Sequence, residues 1–189
     1  MSTGRNFFCK WRKVIDILVR LDSFLPRSIN QLVFDLVSPL GGRVFIFIRY
    51  VLIRNLAAAC GENVAIFKNV TIENIKKLKL GNNISVHTGC YLDAAGEIFI
   101  GNDVSIAHQS SILSANHTWE DFSLPIKYNP METSSVHIEK DVWIGCGCRI
   151  LCGVRICSRS VIAAGAVVCK NVEANTVVGG VHARAIKKI

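Results

Sequence analysis

Between residues 138 and 168 a large aliphatic residue returns at every sixth position: Ile138, Ile144, Ile150, Ile156, Ile162 and Val168. A helix turns every 3.6 residues and a plain strand alternates every two, so neither gives this rhythm without a slip. The position two residues before each match is smaller or apolar: Val136, Val142, Cys148, Val154, Ser160 and Ala166. Upstream the same beat comes in shorter runs. Ile66 and Ile72 form one, Leu80, Val86 and Leu92 a second, Ile100, Ile106 and Ile112 a third. Successive runs are eight residues apart, which marks a two-residue insertion. The step from Ile112 to Ile138 is far longer and marks a larger one.

A six-residue repeat is the signature of a parallel β-helix. Each hexad supplies one short strand and one turn, and three hexads close a triangular coil. The aliphatic and the smaller residue two places earlier both point inward, because strand side chains alternate. Each stacks on its equivalent one coil away, at about 4.8 Å. Gly81, Gly101 and Gly145 fit tight corners, and Asn82, Asn83, Asn102 and Asp103 are turn residues that tolerate left-handed backbone. The pattern leaves handedness open; the general preference of parallel crossovers points to a right-handed coil.

Residues 8–60 follow a different period. Trp11, Val14, Ile15, Leu18 and Leu21 keep a three-four spacing, with Arg12, Lys13, Asp16 and Arg20 between them. Gln31 to Val37 and Val44 to Leu56 each predict a further helix, punctuated by Pro26 and Pro39. The expected organisation is an N-terminal helical cap over residues 1–61, a solenoid over 62–180 with a loop inserted at about 114–135, and a basic tail over 181–189. A solenoid has open ends, and the helical region is the natural cover for one of them.

The formal charge of +8 is concentrated at the N-terminus: residues 1–60 hold nine basic and three acidic side chains, residues 61–189 thirteen and eleven. A basic amphipathic region suits an anionic membrane surface as well as a cap, so a peripheral membrane contact stays open beside the capping role. Arg5, Lys10, Arg12, Lys13, Asp16, Arg20 and Asp22 break any apolar leader segment. No apolar run is long enough to span a bilayer, since Arg49 cuts the best one. The chain is therefore expected in the cytoplasm, reaching at most the inner face of the membrane, and no nucleic-acid partner is expected. The eight cysteines, Cys9, Cys60, Cys90, Cys146, Cys148, Cys152, Cys157 and Cys169, are read as reduced thiols. Cys146, Cys148 and Cys152 lack zinc-ligand spacing, so no metal is expected.

Residues 136–189 closely resemble the end of hexapeptide-repeat acyltransferases, most of all the sugar O-acetyltransferase branch with its maltose, galactoside, colanic-acid and O-antigen enzymes. V-W-I-G at 142–145 and A-G-A-V-V-x-K at 164–170 carry the resemblance, which covers about residues 62–189. It implies a mainly β protein built on a left-handed parallel β-helix. It also implies a homotrimer with active sites between subunits, acetyl-CoA as donor and a carbohydrate acceptor.

The resemblance places the catalytic histidine at His117, and the sequence agrees that His117 opens the long insertion, where a rigid scaffold presents a loop. Imidazole titrates near neutrality, so it can take a proton from an attacking hydroxyl and pass it to the leaving thiol. Direct transfer needs no enzyme nucleophile, and Cys146, Cys148 and Cys169 are not expected to act as one. By the same resemblance Cys146 and Ala164 line the pantetheine arm, Cys169 and Lys170 supply later contacts, and Arg184 and Lys187 lie near the phosphates. Gly180-Val181-His182-Ala183-Arg184 departs from the Gly-Asn-Pro-Ala ending common in relatives, and Glu173-Ala174 replaces a frequent Pro. For the acceptor, Asp93 follows inward Leu92 and points outward; it can bind a sugar hydroxyl, orient His117 or cap a turn. Trp119, with Phe122 and Tyr128, can stack on a sugar face, though anchoring the loop is the favoured role. His87, His108, His137 and His182 receive none.

Two other functions compete with sugar O-acetylation. One is acyl transfer to a small acceptor such as serine, an antibiotic or a nucleotide-linked amino sugar. The other is a zinc lyase on the same solenoid, which needs an H-x4-H pair that this chain lacks.

Overall fold

The computed structural model describes the backbone of residues 4–189 and the side chains from Trp11 onward; Arg5, Cys9 and Lys10 lie outside the described side chains. Helix α1 spans Gly4–Asp22, α2 Arg27–Val37 and α3 Arg43–Leu56. They fall where the three-four spacing predicts them, with Pro26 at the start of α2. From Ala59 the chain winds into a three-sided prism. The first face stacks strands Ala59–Cys60, Leu78–Leu80, Ile98–Ile100, Val136–Ile138 and Arg155–Ile156. The second stacks Val64–Ile66, Ile84–Val86, Val104–Ile106, Val142–Ile144, Val161–Ile162 and Thr176–Gly179. The third stacks Thr71–Glu73, Tyr91–Asp93, Ser111–Leu113, Arg149–Ile150 and Val167–Val168. Neighbours within these stacks are parallel and in register, as in Ile106 beside Ile144 and Ile144 beside Ile162.

The hexad positions form the core. Ile66, Ile106, Ile144, Ile150, Ile156 and Ile162 are each fully buried, as are the smaller Cys148, Ser110 and Ser160. At the corner between the second and third faces the small inward residue donates a hydrogen bond to the next coil. The Cys90 thiol donates to the Ala107 carbonyl at 3.2 Å, the Ser110 hydroxyl to Gly145 at 2.9 Å and the Cys148 thiol to Ala163 at 3.1 Å. These bonds satisfy polar groups in the core and link successive coils.

The three insertions read from the sequence share one corner, between the third and first faces. The first is a short 3-10 turn, Ile75–Lys77, the second a four-residue turn at 94–97, and the third the loop at 114–135. The opposite corner, between the first and second faces, repeats left-handed backbone at Asn63, Asn83, Asp103, Asp141, Arg159 and Asn175. Asn82 and Asn102 differ from the expectation: both keep φ negative and act as acceptors. Asn102 Oδ1 receives the Asn82 amide at 2.8 Å, and Asn82 Oδ1 the Glu62 amide at 2.8 Å.

The helices close the N-terminal end. Tyr50, Ile53 and Leu56 of α3 join Val64 and Ile66 in one continuous core. Arg49, which interrupts the apolar run in the sequence, is buried there. Its Nε donates to the Ile66 carbonyl at 2.9 Å, and its Nη1 to Val37 and Leu40 at 2.7 and 3.0 Å. One side chain thus ties the exposed carbonyls after α2 to the first coil. At the other end the basic tail forms a strand, Arg184–Lys188, antiparallel to Thr176–Gly179. No helix among the described residues is long and apolar enough to cross a membrane.

Candidate active site

The long insertion is a built element. Its ends, Ala115–His117 and Met131–Thr133, pair as a two-stranded antiparallel hairpin, with His117 opposite Met131. The Ser134 amide donates to the Ser114 carbonyl at 3.0 Å and closes the neck. The Ser114 hydroxyl bonds the Asp93 carbonyl at 2.6 Å and receives the Gly96 amide at 2.8 Å. Below the neck, Cys152 Sγ lies 3.1 Å from the Ser134 amide nitrogen. Nothing in the residue pattern marks this neck beyond the length of the insertion.

The distal loop is organised by Asn129, which is buried. Its Oδ1 accepts the Asp121 amide at 3.0 Å, and its Nδ2 donates to the Asp121 and Leu124 carbonyls at 3.2 and 3.3 Å. Thr118 is buried as well and donates to the Pro130 carbonyl at 2.7 Å. The aromatic residues expected to anchor the loop do not: Trp119, Phe122 and Tyr128 are 66%, 96% and 66% exposed. Polar side chains do that work, because a loop this thin has no interior large enough for a ring but many backbone groups that need partners.

His117 is exposed at the end of the hairpin's first strand, and its imidazole has no hydrogen-bond partner among the described residues. It lines a pocket of about 80 Å³ with Asn116, Thr118, Trp119, Glu120 and Glu132. Glu120 and Glu132 were not singled out by the sequence pattern; both are carboxylates bordering the imidazole's pocket. Asp93 lies one coil back from Leu113, in register with it. Its Oδ1 accepts the Ala95 amide at 3.0 Å and Asn74 Nδ2 at 3.1 Å. That oxygen caps a turn, and no hydrogen bond joins it to His117 within one chain.

Cys146 and Ala164 occupy equivalent corners of adjacent coils, where the Gly165 amide donates to the Cys146 carbonyl at 2.8 Å. Gly145 lets these coils approach, since a Cβ there would stand 2.6 Å from the Ala164 nitrogen. Cys148 next door is buried, and burial pushes its thiol up from the ordinary range. A thiol held protonated is a poor nucleophile, which argues against an acyl-cysteine. Cys169 is half-buried and Lys170 exposed, on the corner below the loop neck. Lys170 and Arg184 line one cavity of about 360 Å³ at the open end of the solenoid. Lys187 is exposed beside it, while Lys188 Nζ is paired with Glu173 at 2.7 Å. The expected residues therefore form two groups. The Cys146–Ala164 corner and the corner carrying the loop are opposite edges of the third face, one hexad apart, or about 20 Å at 3.3 Å per residue.

Two histidines without an expected role are stacked on aromatic rings. His137 lies on Phe99 with centroids 4.4 Å apart, and His87 on Phe67 at 4.5 Å. Lys79 covers the Phe99 ring at 4.4 Å. These ladders run along outward columns and tie coils together.

Known proteins share this architecture. The family model described as bacterial transferase hexapeptide (six repeats) matches residues 135–170. A hexapeptide-repeat acetyltransferase of Vibrio cholerae, crystallised with acetyl-coenzyme A, is 27% identical, with 86% of each chain covered and a TM-score of 0.76. A maltose O-acetyltransferase of Clostridium difficile is also 27% identical, with 97% of this chain and 88% of that one covered and a TM-score of 0.72. Among curated proteins, a 2,3,4,5-tetrahydropyridine-2,6-dicarboxylate N-acetyltransferase of Staphylococcus aureus is 48% identical over 59 residues, 31% of this chain and 25% of that protein. The chain spans about a quarter of the length of the curated relatives it matches first.

The solenoid is accordingly a left-handed β-helix, against the general crossover preference. That preference arises from strand twist carried into a connection. Strands of two to four residues carry little twist, so corner geometry sets the hand. In repeat, fold and sequence likeness the chain is similar to hexapeptide-repeat acetyltransferases of known structure.

Proposed function

We propose that this protein is an acetyl-CoA-dependent O-acetyltransferase acting on a sugar hydroxyl, in a surface polysaccharide or its lipid-linked precursor. The observation that carries the proposal is His117: an exposed imidazole without an internal partner, held on a hairpin whose neck is hydrogen-bonded to the coils above and below. A base that must meet a substrate proton needs its nitrogen free and its position fixed.

In this reading the neutral imidazole of His117 accepts the acceptor's hydroxyl proton as the oxygen attacks the thioester carbonyl. The tetrahedral intermediate collapses, the carbon–sulfur bond breaks, and the proton passes from the imidazolium to the departing thiolate. No group on the enzyme is acylated. The pantetheine arm runs along the corner of Cys146 and Ala164. Cys169, Lys170, Arg184 and Lys187 hold the nucleotide end, and Asp93 and Trp119 face the acceptor. One chain separates the donor corner from the His117 loop by a full side of the prism. A homotrimer, in which the loop of one copy meets the donor corner of the next, closes that gap and is the assembly we propose.

His117→Ala tests the mechanism. Turnover falls by about a hundredfold or more, the usual scale of general-base catalysis, while CoA binding stays unchanged. Unaltered turnover removes His117 from the chemistry. The likeness to an N-acetyltransferase supports a second reading, acylation of a small amine acceptor. Release of free CoA with sugars, amino sugars and serine as acceptors separates the two.

A further inference from the structure

The helical cap has a second apolar surface that the solenoid does not use. In α1 the residues turned toward the core are Ile15, Val19 and Asp22, while Val14, Ile17 and Leu21 are 42%, 57% and 59% exposed. At 100° per residue these three fall within an arc of about 60°, centred about 130° round the helix from the buried stripe. Helix α2 repeats the arrangement. Asn30 and Phe34 are buried and Val37 packs on the core, whereas Ile29, Leu32 and Leu36 are 44%, 59% and 65% exposed on one stripe. The turn between the helices adds Phe24 and Leu25, 85% and 49% exposed. One apolar stripe per helix would be enough to seat the cap; each helix has two.

Charge indicates what covers the outer stripes. Arg12 is paired with Glu62, Arg27 bonds the Leu56 carbonyl, Arg49 is buried, and Arg54 bonds Tyr50. Lys13, Arg20 and Arg43 have no such partner among the described residues, and Lys13 and Arg20 both lie along one edge of the α1 stripe on the helical wheel. Asp16 lies further round the polar side, Asp22 is buried, and Asp35 accepts from Gln31. A second copy of this chain offers no net acidic counterpart, because its residues 61–189 hold thirteen basic side chains against eleven acidic ones. An apolar strip edged by cations fits the headgroup boundary of an anionic bilayer.

We propose that the outer stripes of α1 and α2, with Phe24 at their junction, dock the protein in the plane of an anionic membrane surface. The helices lie along the boundary and do not cross it. The proposal is independent of the acceptor and of His117.

Co-sedimentation of the full chain with lipid vesicles tests it. Vesicles of phosphatidylcholine containing phosphatidylglycerol bind the protein at least about tenfold more tightly than phosphatidylcholine alone, as expected for several basic side chains at the surface. Phe24→Glu with Leu32→Glu lowers that binding by about tenfold or more, with unchanged far-ultraviolet circular dichroism, since both side chains are exposed. Lys13→Glu with Arg20→Glu removes the preference for anionic lipid. Equal binding to both vesicle types overturns the proposal, and so does undiminished binding by the Phe24 variant. If neither vesicle binds, while Phe24→Glu lowers the mass seen in sedimentation velocity, the stripes belong to a contact between copies and the proposal fails. Acetyl transfer measured on a soluble acceptor stays unchanged in both variants, so failure here leaves the proposed reaction standing.

Discussion

The Ser134 amide meets the Ser114 carbonyl at 3.0 Å, and Gly96 of the preceding turn lies directly against that bond. A Cβ on Gly96 would collide with the Ser114 oxygen and stand 2.7 Å from the Ser134 nitrogen. The absence of one side chain therefore allows the loop that carries His117 to leave and return through a closed neck. Gly96→Ala is expected to open the neck and to lower turnover at least about tenfold, since small displacements of a catalytic group are costly. Hydrogen exchange at residues 114–118 and 131–134 checks the structural part, and steady-state kinetics the functional part. Unchanged exchange and unchanged kcat would show that the neck does not position His117.

Asn129 organises the far end of the same loop through its amide. Asn129→Ala leaves several backbone groups without partners, and each hydrogen bond is worth about 1 kcal/mol. Loop exchange is expected to rise and kcat to fall, with the melting temperature almost unchanged because the solenoid core is untouched. A large loss of melting temperature would contradict this separation of loop from core.

Gly145 and Gly147 make a matched pair. Alanine at Gly145 would press on the Ala164 nitrogen at 2.6 Å and the Ile162 carbonyl at 2.8 Å, both backbone atoms of the next coil. Gly147 has φ +66 and open space around it. Gly145→Ala is expected to cost about 2 kcal/mol or more from overpacking. Gly147→Ala should cost about 1 kcal/mol from backbone conformation alone. Denaturant titration distinguishes them, and a reversed order would refute the assignment.

Arg49 is fully buried and bonded to Ile66, Val37 and Leu40. Arg49→Ala takes the buried donor from the Ile66 and Leu40 carbonyls, leaves Val37 only the Leu40 amide and opens a cavity, so we expect a loss of about 3 kcal/mol. Unfolding should then begin at the cap, visible as early exchange of α2 and the first coil. Uniform exchange across the chain would argue that the cap and solenoid unfold as one.

The Glu139 carboxyl is held below its ordinary range, first by the Ser158 hydroxyl and amide and then by Arg155. A depressed folded-state pKa favours the folded form above the unfolded-state value, near 4.3, and the gain disappears as pH falls through the folded-state value. Glu139→Gln is therefore expected to flatten the acid side of the stability profile below about pH 5. Its effect should be greatest at neutral pH. Melting curves from neutral pH downward test this, and an identical slope in both proteins would sink it.

How much of this was legible in the sequence differs between parts of the molecule. The hexad beat determined the prism, its inward residues and the places where extra residues enter, because an inward position repeats once per side whatever the neighbours do. Spacing also marked the three helices. The coincidence of all three insertions at one corner became visible only once register was known, since it depends on which face each strand occupies. The anchoring of the loop by Asn129, and not by Trp119, Phe122 or Tyr128, depended on local volume, which a string of letters does not carry. Arg49 looked like a break in an apolar run and is a buried tie, because the carbonyls it serves come from α2 and the first coil. The resemblance, not the spacing, pointed to His117 and the left-handed coil. The periodic core follows from residue pattern alone because stacking repeats a local rule. Corner, neck and cap were decided by tertiary structure because their partners are distant in sequence and meet only when the coil closes.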